Sequence, residues 1–349
     1  MRITLLGLTV WFASLLMAHA DPISFDDAIA SKVHKPGFVD LYVDEEAGAV
    51  YAALPAPNED GISVRFIYTT GLTGGLGSNP IGLDRGNANN GVIVRFRKIG
   101  PKVVAEQENL RFRASADNPR EKLAVAQSFA TSFLWSQDIL AQDDAGRLLV
   151  DLSSFLTRDQ FGIANSLRHG RDGGAYSLVS DRSFVDTQSI FAFPDNVEFD
   201  AFMTFSSSAP NAQTRATAPD ARSVTLIQHH SFVRLPDDGY RPRKFDQRTA
   251  NIGMGYYDYS SDLAEPIVQR FSRRFRLERV DPTTPTGPAK EPIVFYVDPG
   301  APEQVRDALM EGAMWWAEGF EAAGFEDAYR VEVLPDDAHP LDVRYNIIN

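Results

Sequence analysis

Short runs of Val, Ile, Phe and Tyr broken by Gly, Pro, Asn and Asp recur through the first third of the chain, at 38–43, 49–54, 62–69, 91–99 and 102–113. Runs of this length and spacing predict antiparallel strands of a sandwich or barrel, because branched and aromatic side chains fit a pleated, half-buried surface. Residues 25–33 predict a short helix before them. Between 120 and 142 the apolar positions widen to three-and-four spacing (Leu123, Ala126, Phe129, Phe133, Leu140), which predicts a helix, although Phe129, Phe133 and Trp135 would also suit an aromatic strand. Residues 148–156 begin as a strand and turn towards a short helix through 158–167. Strand patterns resume at 175–179, 184–193, 197–206 and 223–235, with the Ser/Ala/Pro/Thr-rich segment 206–219 expected as a mobile hairpin loop. Over 270–279, Arg273, Arg274 and Arg276 alternate with Phe271, Phe275 and Leu277, the pattern of a strand with one solvated face.

The pattern changes after the Pro/Thr/Gly-rich stretch 281–291, which predicts a linker between a β-rich region, 21–280, and a last region, 292–349. PIVFYV at 292–297 reads as a buried strand. Pro302 and Glu303 suit a first helical turn, and Val305, Leu309, Gly312, Trp316, Phe320 and Ala323 recur on one helical face until Gly324. Residues 329–334 and 341–348 predict two more strands, the latter alternating Val343, Tyr345 and Ile347 against Asp342, Arg344 and Asn346. That alternation is unbroken at Asn349, so more chain is expected to follow. The fold class expected is α+β: a β-rich antiparallel sandwich or barrel, then strand–helix–strand elements of an α/β unit.

With 44% hydrophobic and 11% aromatic residues, 349 residues suffice for two cored domains. Residues 1–20 have Arg2, an apolar core and Ala18-His19-Ala20, the features of an export leader cleaved near Ala20 and too short to span a bilayer. An exported protein without a transmembrane anchor is expected. The chain has no cysteine, which excludes disulfides, thiolate metal sites and a cysteine nucleophile. Its net charge of −13 becomes −14 without Arg2, and a balance this acidic argues against nucleic acid as a partner.

Few residues suggest chemistry. Zinc hydrolases place two histidines four apart on one helix face, and none of His34, His169, His229, His230 and His339 forms such a pair. His229 and His230 are neighbours on an expected strand and must point to opposite faces, one packed and one exposed, with a substrate-contact role open to one of them. The glycine-rich stretch 71–86 ends in neither Gly-Lys-Ser/Thr nor a helix, so a special backbone loop is expected there rather than a phosphate cradle. Asp84 and Arg85 within it are a potential ion pair, either structural or lining a cleft. In RPRKFDQR, Asp246 lies near Arg243 and Arg248, which suggests a charge network holding a loop. The paired acids sit beside turn residues as solvated charge, and neither an EF-hand nor a G-x-S-x-G elbow occurs. No catalytic or metal-ligating residue is assigned.

The motifs PIVFYVD, WWAEGFEAAGFEDA and LDVRYNIIN, with GLGSNPIGLDRG, HHSFVRLPDDGYRPRKFDQRTANIG and PIVQRFSRRFRLERVDP upstream, resemble a bacterial family of secreted, metzincin-like zinc-dependent metallopeptidases with long N-terminal domains. The resemblance spans most of the chain. It implies zinc-dependent hydrolysis of peptide or protein substrates by the parent protein, with H-E-x-x-H downstream of these residues and no zinc expected on this chain. It also implies that 292–349 begins the catalytic domain, whose open sheet edge would permit self-association. The alternative is a non-catalytic exported β-rich binding or inhibitory module.

Overall fold

The computed structural model describes residues 23–169, 172 and 174–348; the leader-like segment lies outside them. The fold is α+β and β-rich. Its body is an antiparallel sheet in which Asn196–Ser206 pairs on one side with Phe184–Ala192 and Ser177–Leu178, and on the other with Ser223–Arg234. The sheet then continues through Ile62–Gly74, Val92–Ile99 and Lys102–Gln107 to Ser132–Asp138. A second antiparallel sheet contains Val33–Lys35, Asp40–Asp44, Ala49–Leu54, Leu148–Asp151 and Ala141–Gln142 in spatial order. Period-two alternation creates the interface between the sheets. Leu41, Val43, Val50, Ala52, Leu54, Leu148 and Val150 meet Phe66, Tyr68, Val94, Phe96, Phe199 and Phe232, all nearly or fully inaccessible.

The three long strands carry a second core on the same face. Leu72, Met203, Phe205 and Leu226 pack there against Ile163 and Leu167 of the helix Ile163–Arg168, with Leu76 and Leu83 from the glycine-rich loop. That loop turns back so that Leu76 N–H donates to the Leu83 carbonyl at 2.8 Å, and a Cβ on Gly75 would lie 2.4 Å from the same oxygen. Gly75→Ala should therefore cost about 1–3 kcal/mol in urea unfolding, because backbone has to move. An unchanged midpoint would show that the loop adjusts freely.

A third sheet, Arg243–Lys244, Val268–Ser272, Gly253–Asp258 and Phe112–Arg113, draws its last strand from between two strands of the body. In the last region Ile293–Val297 is flanked by parallel Tyr329–Val333 and Asn346–Ile348, with Glu303–Met314 and Trp316–Ala322 against the sheet. No helix among the described residues is long and apolar enough to cross a membrane.

Several expectations change. The stretch 120–142 is both things in turn, a helix Pro119–Ser128 and a strand Ser132–Asp138. The segment 206–219 contains a helix, Ala212–Thr217, because buried Asn211 accepts from Thr214 N–H at 2.8 Å as an N-cap. The Arg-rich strand ends at Ser272. Of 281–291, Gly287–Pro288 pairs with Phe325–Glu326, so this stretch is tied to the last region. The helix face differs too: Leu309, Met310, Ala313, Ala317 and Phe320 pack inward, while Val305 and Trp316 are 50% and 68% exposed. The inward residues keep three-and-four spacing through the turn at Trp315, but on a face rotated from the expected one, which leaves Trp316 at its edge. Only Asn346–Ile348 of 341–348 is strand, since Asp342 captures the Arg344 backbone N–H at 3.1 Å and its guanidinium at 2.5 Å.

Candidate functional site

Adjacent positions on Ser223–Arg234 send His229 and His230 to opposite faces, as the strand period requires. Register places Asp200 opposite His229 and Glu198 opposite Ser231, so the alternating acids of Asn196–Ser206 meet the imidazole. His229 Nδ1 lies 2.7 Å from Asp200 and Nε2 2.7 Å from Glu198. Burial alone would lower its pKa, but the hydrogen bonds and charges of the two carboxylates raise it to about 9, so His229 is an imidazolium donating from both nitrogens. Its side chain is 15% accessible and that of Glu198 3%, so the expectation of an exposed member of the pair is corrected: flanking carboxylates enclose it. Thr73 donates to Asp200 at 2.9 Å, and Ser231 to Glu198 at 2.6 Å.

Asn196 extends this network to the last region. Its amide donates to Glu198 and, at 2.7 Å, to the Leu341 carbonyl, while its oxygen accepts from Val343 N–H at 3.2 Å. His339 adds ring contacts with Phe191 and Phe193, at 4.4 and 5.3 Å between centroids.

On the inner face, His230 is inaccessible. Burial, helped by the charges of His229 and Arg158, pushes its pKa down to about 3, so it is neutral. Nδ1 accepts from the Tyr68 hydroxyl at 2.8 Å and Nε2–H donates to the Leu156 carbonyl at 2.8 Å. Gln228, two residues back, accepts from Phe161 N–H and donates to the Arg158 carbonyl, both at 2.8 Å. This belt separates the two apolar cores and pins residues 156–161 over the sheet. Arg158 lies above the Phe155 ring at 4.6 Å, and burial lowers its pKa from the ordinary value.

Chemically, the outer cluster is a charge clamp: with both nitrogens of His229 donating, neither is free to take a substrate proton or bind a metal. Among the described residues no three of His, Asp and Glu are placed to hold one ion. The other residues singled out lie apart. Among the described residues Asp84 and Arg85 form no ion pair; Arg85 is exposed, and Asp84 Oδ1 is buried without a partner. Asp246 pairs with Arg248 at 2.5 Å, but Arg243 joins no such pair, because it belongs to a separate short strand, and all three are solvent-facing or half-buried. The strand thus carries both histidines to separate clusters, while the other five contribute to neither. Asn196, Glu198, Asp200 and Gln228 belong to no motif that singles them out, although Asn196, Glu198 and Asp200 alternate with Val197, Phe199 and Ala201, a polar row legible in the sequence.

No curated protein and no solved structure matches the chain. A family model described as a domain of unknown function (DUF5117) matches residues 86–279, a span that includes the entire His229 clamp apart from Thr73 and its link to the last region. That match covers more than half of the chain, which therefore belongs to the DUF5117 family.

Proposed function

We propose that this chain is the β-rich N-terminal part of an exported zinc-dependent metallopeptidase, and that it positions the hydrolytic part without itself holding the metal. The motif resemblance supports the peptidase assignment and the leader-like 1–20 segment supports export. The observation that carries the positioning role is the fastening of the last region to the body by Asn196, through Leu341 and Val343, beside the His229 clamp. The described histidines and acids are not gathered into a zinc ligand set, and zinc belongs in this proposal to the parent protein's hydrolytic part. Peptides or proteins are the substrate class, and the edge strand Asn346–Ile348 offers backbone for self-association.

The test has two arms. The 349-residue chain dialysed against zinc should retain well under one equivalent, and the full product of its gene should hydrolyse peptides in a chelator-sensitive way. A tight equivalent of zinc on this chain, or chelator-insensitive hydrolysis, refutes the assignment. A second reading, a non-catalytic exported binding module, is favoured by one feature: acid-free Arg and aromatic clefts around the third sheet.

A further inference from the structure

Two clefts of about 410 and 600 Å³ share Arg273 and Arg274 as a common wall. The smaller is lined also by Arg113, Tyr256 and Phe271, the larger by Arg243, Phe275 and Phe320, and neither lining includes an Asp or Glu. In a chain of net charge −13 that is a local inversion. The acids nearby are engaged elsewhere, Asp246 by Arg248 and Asp237 by Arg276. Among the described residues Arg243 and Arg273 have no ion-pair partner, whereas Arg274 donates to the Arg241 and Phe275 carbonyls and lies over the Tyr240 ring. Unneutralised guanidiniums beside aromatic walls suit carboxylates carried on an apolar body.

The backbone narrows the ligand class. Beyond Ser272 the chain runs on through 273–278 without joining a ladder, and among the described residues the N–H groups of Arg274, Phe275, Arg276 and Leu277 make no hydrogen bond. Phe275 is half exposed. A segment with free N–H groups, flanked by side-chain pockets, accepts an added strand, which a peptide can supply and a polysaccharide or nucleic acid cannot. The chain's overall negative charge also disfavours a long polyanion.

We infer that residues 273–277 and the two clefts form a docking site for an extended peptide with alternating acidic and aromatic side chains. The site requires no hydrolysis and is compatible with either reading above, so its failure would leave the zinc and peptidase tests untouched. The test is fluorescence anisotropy of the intact chain with a labelled octapeptide of alternating Glu and Phe, compared with its Lys/Phe counterpart, an N-methylated Glu/Phe version and oligo-dT. The Glu/Phe peptide should bind, more weakly as salt rises, while N-methylation, Lys for Glu, or combined Arg243→Glu and Arg273→Glu should each weaken binding by about tenfold or more. Both arginines are exposed and unpaired, and circular dichroism with the Arg243→Gln and Arg273→Gln pair checks that any loss is not unfolding. Absence of Glu/Phe binding, indifference to the arginine substitutions or to N-methylation, or equal binding of oligo-dT lost in the same variants would overturn the inference.

Discussion

His229→Gln is expected to remove about 3 kcal/mol of stability near pH 6 and much less near pH 9. At the lower pH the substitution leaves Glu198 and Asp200 facing each other on a nearly closed face without the cation between them. The sign of the pH effect follows from the direction of the shift. The folded-state pKa, about 9, lies above the ordinary 6.5, so the clamp's contribution is fully present below pH 6.5 and lost as pH rises through 9. Urea unfolding of the native chain from pH 6 to 9.5 should therefore show declining stability, and His229→Gln should flatten that slope. Buried tyrosines, whose folded-state pKa values are raised above about 10, add only a small loss at the top of this range, and it is common to both proteins. Equal slopes in the two proteins would mean that His229 is not charged in the folded state. His230 supplies an internal contrast: its folded-state pKa lies below the ordinary 6.5, so it destabilises only as pH falls through that value, and above about pH 7.5 His230→Gln should leave the slope intact.

Phe155→Ala should cost about 3–5 kcal/mol, the range for emptying an aromatic site in a closed core. Phe155 lies on the single-turn helix Ser153–Leu156 and is inaccessible, with ring centroids 5.3 Å from Tyr68, 5.6 Å from Trp135, 5.7 Å from Phe232 and 6.0 Å from Phe96. The same turn supplies the Leu156 carbonyl to His230, and the following residue pair places Arg158 over the Phe155 ring. Loss of the ring thus opens a cavity beneath the polar belt and loosens the segment the belt holds. Phe155→Leu should retain more stability, because it refills part of the volume. A loss below about 1 kcal/mol for the alanine variant would show that the surrounding aromatics collapse into the space.

The strand framework was legible because each strand buries one or both faces and its alternation survives in the sequence: Ala49–Leu54 and the long strands emerge with bounds close to those expected. The errors have local causes. Alternation at 342–345 reflects an Asp342 turn in which side chain and backbone compete, and a stretch poor in apolar residues hid the Asn211-capped helix. The opposite orientation of His229 and His230 followed from the strand period alone. Their partners did not, because Asp200 and Glu198 reach His229 only through a register set across residues 206–223, and Leu156 and Tyr68 belong to elements far away in sequence. Asp84, Arg85, Arg243, Asp246 and Arg248 stand out in the sequence by local charge or glycine density, which says nothing about what the fold brings together.

The central pairing of the body has a consequence for how the protein is made. Ile62–Gly74 is joined to Ser223–Arg234, with Thr70 opposite His230, so this edge stays open until some 160 later residues have emerged. At about 5–20 residues per second that wait is roughly 10–30 s, long compared with the roughly 1–10 µs in which an isolated hairpin forms. During synthesis Phe66, Tyr68 and Leu72 therefore lack the partner strand that later covers them, and a nascent chain halted before Ser223 is where holdase binding or aggregation should concentrate.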